Sequence, residues 1–176
     1  MATMAGSKQA SAERKPPLFT SRPDWLDWTL ALGCLAMLAT MVTAIARGAE
    51  QWALIGPALW YHFVTVGIAL AITPVMLIRR RGDRLHRTLG YVWIVAMVTT
   101  ALSTVFIREI NDGGFSWIHL LSVFTLFVSW KIVASARAHD HHAHRGHVRG
   151  IVIGALLVAG FFTFQFNRLF ANWLAL

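Results

Sequence analysis

Five stretches of this chain stay apolar for about 20 residues or more, the length a helix needs to cross a hydrocarbon layer about 30 Å thick. They run over Trp25–Ala46, Ala53–Ile78, Thr88–Ile107, Phe115–Ala136 and Gly150–Phe170. Lipid offers no water to unsatisfied N–H and C=O groups, so such runs are read as helices, whose hydrogen bonds close within the segment. The composition agrees: 56% of the 176 residues are hydrophobic, and the mean hydropathy is +0.55. A soluble domain of this size could not bury so much apolar surface. The expected fold is an all-α membrane protein, with a polar tail over 1–24 and one transmembrane domain over 25–176. The tail lacks the apolar core of a cleavable signal peptide.

The net charge of +8 could suggest a nucleic-acid partner. However, the basic clusters alternate with apolar runs, and the lipid bilayer is the partner they fit. Their placement gives an expected orientation. Lys8, Arg14, Lys15 and Arg22 precede the first span. Arg79, Arg80, Arg81, Arg84 and Arg87 lie between the second and third, and Lys131, Arg137, Arg145 and Arg149 gather around the fourth-to-fifth connection. The other side has only Arg47, Arg108 and Arg168. Positive charge is retained inside, so the N-terminus is expected in the cytoplasm and the C-terminus in the periplasm of a bacterial inner membrane. Trp52, Trp60, Trp117 and Trp173 would mark the outer boundary, and Trp25 and Trp28 the inner one. The single cysteine, Cys34, excludes a disulfide framework or a paired-cysteine metal motif.

Histidines recur at matched depths. His62 and His119 lie near the outer ends of the second and fourth spans. His86 and His147 lie just before the third and fifth. Arg108 follows His86 by 22 residues, and Arg168 follows His147 by 21. The order His–His–Arg thus occurs twice. This pattern predicts a four-helix core of two repeated hairpins (helices 2–5) with helix 1 peripheral, His62 opposite His119 and His86 opposite His147. Thr65, Ala69 and Thr73 share a helix face with His62, a small-residue stripe that admits either a close backbone or a flat ligand. Gly150 and Gly154 form a similar pair in the fifth span.

Two neutral imidazoles from facing helices can fill both axial positions of a haem iron. The pairs His62/His119 and His86/His147 would hold two such groups, one near each membrane face, with His144 as an alternative inner ligand. Arginine's forked donors suit carboxylates, so Arg108 and Arg168 would meet propionates or a quinone at the outer face, and Arg87 and Arg149 propionates at the inner one. Phe161, Phe162, Phe164, Phe166 and Phe170 could wall a porphyrin. No CxxCH attachment motif is present, which points to haem b. The bland alternative is that these histidines bond a Ser or Thr on the next helix. A second group, His139, Asp140, His141, His142 and His144, could bind a transition metal, but its sequence fixes no geometry, and it reads as a solvated loop.

The stretches LHRTLGYVWIVAMVTTALSTVFIR, SWIHLLSVFTL and HRGHVRGIVIGALLVAGFFTFQFNR resemble a bacterial family of small integral membrane proteins known as a domain of unknown function, over about residues 55–170. Its marks are HR-x-x-G before one helix and I-H-x-L-S opening the next. An HR pair before the last helix is also expected from that resemblance, and His144–Arg145 supplies one. In architecture, four histidines on four successive helices, pairing first with third and second with fourth, are similar to the cytochrome b561 type of diheme membrane protein. That likeness implies electron transfer across the membrane and ligand roles for His62, His119, His86 and His147. The expectation is therefore a membrane cytochrome exchanging electrons with a quinone and a protein partner. The rivals are a cofactor-free accessory subunit of a larger membrane complex, and a metal or proton transporter that uses the histidine-rich loop. Nothing in the sequence offers a nucleophile, a phosphate loop or a carboxylate pair for hydrolysis.

Overall fold

The structure is a computed structural model that describes residues 22–107, 117–165 and 168–175. The described residues form an all-helical bundle. Helix α1 spans Trp25–Arg47, α2 Pro57–Ile78, α3 Arg84–Ser103 and α4 Trp117–Arg137. Helix α5 begins at His141 and continues through a wider, π-helical stretch, Val152–Val158, to Thr163. A short α6, Leu169–Ala175, follows. Single 3-10 turns lead into α2 and out of α3. The first five helices are each long and apolar enough to cross a membrane.

The ends of these helices have local causes. Asp24 caps α1 in a reciprocal box with Asp27, each side chain accepting from the other's backbone N–H. Pro57 occupies the first turn of α2, where its missing N–H costs nothing. Asp83 accepts from His86 N and caps α3, and Asp140 accepts from Ala143 N and caps α5. This last cap starts α5 nine residues before the span read from hydropathy. The segment expected to be a solvated loop is thus the first turns of a helix. The hydropathy signal missed it because those turns carry histidines and arginines on the faces they turn to protein.

Successive helices pack side by side, and α5 returns to lie along α1 and to touch α2. Helix α1, expected at the periphery, is therefore an integral member of the bundle. Its Ala31, Cys34 and Ala44 are at most 1% exposed. The reason is small residues along its seams. A Cβ on Gly33 would meet Leu157 of α5 at 3.3 Å, one on Gly67 of α2 would meet Met41 at 3.1 Å, and one on Gly160 would meet Met37 at 3.2 Å. Close backbone approach is how helices associate where lipid removes the hydrophobic drive.

The α2–α3 seam is antiparallel and polar. Trp93 Nε1 donates to Thr73 Oγ1 (2.9 Å), and Thr100 Oγ1 donates to Thr65 Oγ1 (2.7 Å). The stripe Thr65, Ala69, Thr73 is buried against α3, so it serves helix packing. Exposed Tyr91, Val95, Val123, Phe127 and Trp130 present the apolar surface that lipid requires.

Helix α6 folds back over the ends of α1 and α2. Trp173, expected in an interfacial belt, is fully buried, and its Nε1 donates to Gln51 Oε1 (2.9 Å). Arg47 donates to the carbonyl of Leu174. Aromatic rings connect the cap to α2: Phe63 lies 4.7 Å from Phe170, which lies 5.7 Å from Trp173.

Candidate functional site

The histidines occupy two levels of the bundle. At the end away from the arginines, His62 Nδ1 lies 2.9 Å from Ser103 Oγ of α3. Ser103 has one hydroxyl proton, and it donates that proton to Thr100 O at 2.7 Å. Toward His62 it can therefore only accept. With Ser103 so engaged, the imidazole donates from Nδ1 and keeps its lone pair on Nε2. A metal-binding histidine is oriented in this way, with the other ring nitrogen held by a hydrogen bond.

His119 lies in the first turn of α4. Ser122, one turn further along its face, pairs with Thr104 Oγ1 at 2.6 Å. Ser103 and Thr104 are consecutive, so the end of α3 stands between α2 and α4, joined to His62 on one side and to Ser122 on the other. His119 Nε2 is buried.

At the arginine-rich end, His144 Nδ1 lies 3.1 Å from the carbonyl of Ile132 on α4. A carbonyl only accepts, so His144 also carries its proton on Nδ1 and its lone pair on Nε2. His86 of α3 is close enough to His144 for their charges to interact. The Nδ1 atoms of His86 and His147 are buried and have no hydrogen-bond partner among the described groups. Of the two candidates for the inner position, His144 is thus the one held by a backbone acceptor and close to His86. The sequence had favoured His147 by depth alone. The helical start of α5 brings His144 inward, one turn before His147.

A second feature, which sequence reasoning missed, is an ion cluster built on α1. Asp27 is fully buried, and three arginines reach it. Arg81, from the α2–α3 turn, and Arg145 each donate at 2.6 Å, and Arg149 donates through Nε (3.0 Å) and Nη2 (2.8 Å). Asp24 takes Arg145 at 2.9 Å and also pairs with Arg149. The Arg149 hydrogen bond is the main reason the Asp24 carboxyl is held at about 2, below its ordinary 3.8. At the next turn, Arg79 bonds Asp83 at 2.7 Å and lowers that carboxyl in turn. Arg149, expected to meet a haem propionate, is committed to these carboxylates instead. The sign in the sequence is a pair of aspartates three residues apart opening an apolar run, on the side that holds most of the cations.

The remaining predicted residues divide. Arg87 is exposed on the first turn of α3, and Arg168 is half-buried just before α6. Arg108, Phe166 and the side chain of Trp117 lie outside the described residues, as does nearly all of the N-terminal tail. Phe161 and Phe162 are exposed, whereas Phe170 is buried in the α6 aromatic cluster. His139, Asp140, His141 and His142 are exposed, and Asp140 is engaged as the α5 cap. Among the described residues, no three such groups converge as a metal site.

The long apolar helices agree with the sequence comparison. A family model described as "Predicted membrane protein (DUF2306)" matches residues 59–174. The chain belongs to this family. The match covers α2 to α6, and so includes both histidine levels but not Asp24 and Asp27 on α1. No curated protein and no solved structure matches the chain.

His62 and His144 each have Nδ1 held in a hydrogen bond, the orientation that a metal-ligating histidine takes, and on donor chemistry alone either could serve a haem iron.

Proposed function

We propose that this member of the family is an inner-membrane electron carrier of cytochrome b type, holding one or two haems between histidines. His62 and His119 would hold the outer group, and His86 and His144 the inner one. The observation that carries this reading is the tautomer imposed on His62 and His144, each with Nδ1 donating and Nε2 left as a ligand nitrogen. Such a haem would take up and release single electrons at low-spin iron. The chain's own part is orientation: Ser103 and the Ile132 carbonyl fix the two rings, and the apolar helices keep water away. A quinone and a protein partner are the expected donor and acceptor, with Arg168 and Arg87 as the remaining described cations for propionates or a quinone. The distribution of lysine and arginine supports a cytoplasmic N-terminus and a periplasmic C-terminus.

The reading is tested by a reduced-minus-oxidised spectrum of the purified full-length protein. A haem α-band is expected, and His119→Ala should remove the outer haem and leave the inner one. Ser103→Ala should weaken retention of the outer haem only. A flat spectrum would favour the cofactor-free accessory role, in which the His62–Ser103 bond is simply a strut between α2 and α3.

A further inference from the structure

Helix α4 carries four hydroxyls among its described side chains, Ser122, Thr125, Ser129 and Ser135, and all four are buried. Hydroxyls inside a membrane helix usually bond back to a carbonyl of the preceding turn. Thr125 does so to Leu121 O, and Ser135 to Lys131 O. Ser122 bonds across to Thr104, just past the end of α3. Ser129 does neither: it is 1% exposed, and its Oγ has no hydrogen-bond partner among the described groups. A buried hydroxyl without a protein partner calls for an acceptor or donor in the interior, and an ordered water is the ordinary one.

Position adds to this. Ser122, Thr125, Ser129 and Ile132 recur at helical spacing and share one face. At one end, Ser122 joins the Thr104 and Ser103 region where the His62 level begins. At the other, the carbonyl of Ile132 receives His144. The ten residues between Ser122 and Ile132 span about 15 Å of helix, roughly half of a hydrocarbon layer about 30 Å thick. The gaps between successive hydroxyls are about one helical turn, which single waters can bridge.

We propose that this face of α4 holds a file of buried waters and conducts protons through the middle of the membrane, between the level of Ser122 and that of Ser129. Each hydroxyl or water accepts a proton on its oxygen and releases its own to the next. No group ends with a changed charge, and no oxidant or reductant is needed. The path does not depend on bound haem, so it can fail while the electron-carrier reading stands, and the reverse.

The test uses the full-length protein in phosphatidylcholine vesicles loaded with a pH-sensitive dye, with valinomycin and potassium to balance charge. An imposed pH step should dissipate about tenfold faster than in protein-free vesicles, as an intramembrane proton relay requires. Ser129→Val should bring the rate near that of empty vesicles, Ser129→Thr should retain it, and the lipid-facing Val123→Ser should leave it unchanged. Thr125→Val provides an independent break in the file should Ser129→Val fold poorly. A wild-type rate equal to that of empty vesicles overturns the proposal. So does a wild-type rate that persists in both well-folded valine variants.

Discussion

Asp27 shows what a single charge does at this depth. A buried carboxylate is tolerated when its oxygens are all engaged, and Asp27 divides its two between three guanidinium groups and a backbone N–H. Breaking such a cluster from the carboxylate side leaves cations facing one another in a poorly hydrated place. Asp27→Asn is expected to cost about 3 kcal/mol, read as a lowered midpoint in denaturant unfolding of the detergent-solubilised protein. Asp24, which still takes Arg145 and Arg149, keeps the loss from being larger. Asp24 itself sets a pH window. Its folded-state value of about 2 lies below the ordinary 3.8, so its stabilisation is complete above about pH 4 and is lost as pH falls through about 2. Unfolding midpoints should drop across that window, and the Asp24→Asn protein should show a smaller drop. None of this was visible from counting charges along the chain. The partners of Asp27 lie 54, 118 and 122 residues away, and only the packing of α5 and the α2–α3 turn against α1 reveals them. The histidines were legible as candidates because an imidazole in an apolar run stands out. Their tautomers were not, since these depend on the acceptors Ser103 and Ile132, contributed by other helices.

At the scale of elements, the five spans were largely readable, because twenty apolar residues admit few alternatives. The misplaced boundary was the start of α5, where the Asp140 cap begins a helix in a segment rich in charge. The seven-residue α6 was also missed, merging with the end of the fifth span. Its docking depends on one position. A Cβ at Gly48 would lie 2.1 Å from Trp173 Cδ2, inside the ring itself. Gly48→Val should therefore unseat α6, at a cost of about 1–3 kcal/mol. Hydrogen exchange should report it as faster exchange over 169–175 while α2 and α3 remain protected. The π-helical stretch of α5 is a further feature no hydropathy window could reveal. There Ala159 N bonds Gly154 O, five residues back, and widens the helix where Val152 and Leu156 are buried.

The molecule as a whole is a five-helix bundle in which first and last long helices are neighbours. Hydropathy gave the number of spans but not their arrangement, since α1 carries no histidine and looked dispensable. Small residues at Gly33, Gly67 and Gly160, and the acid pair at its start, give it its place. The proposed orientation is checked by labelling. A Ser7→Cys protein lacking Cys34 should resist a membrane-impermeant maleimide in intact cells and react after permeabilisation. Labelling in intact cells would reverse the assignment.

The clasp between Asp27 and Arg145 also bears on how the chain is made. The two residues are 118 positions apart, so a ribosome adding about 5–20 residues per second leaves the aspartate waiting on the order of ten seconds for its partner. Through that interval Arg81, 54 residues away, is the guanidinium already made that can meet Asp27. The later arrival of the fifth helix supplies Arg145 and Arg149, so the acid pair gains these partners only once α5 has been made.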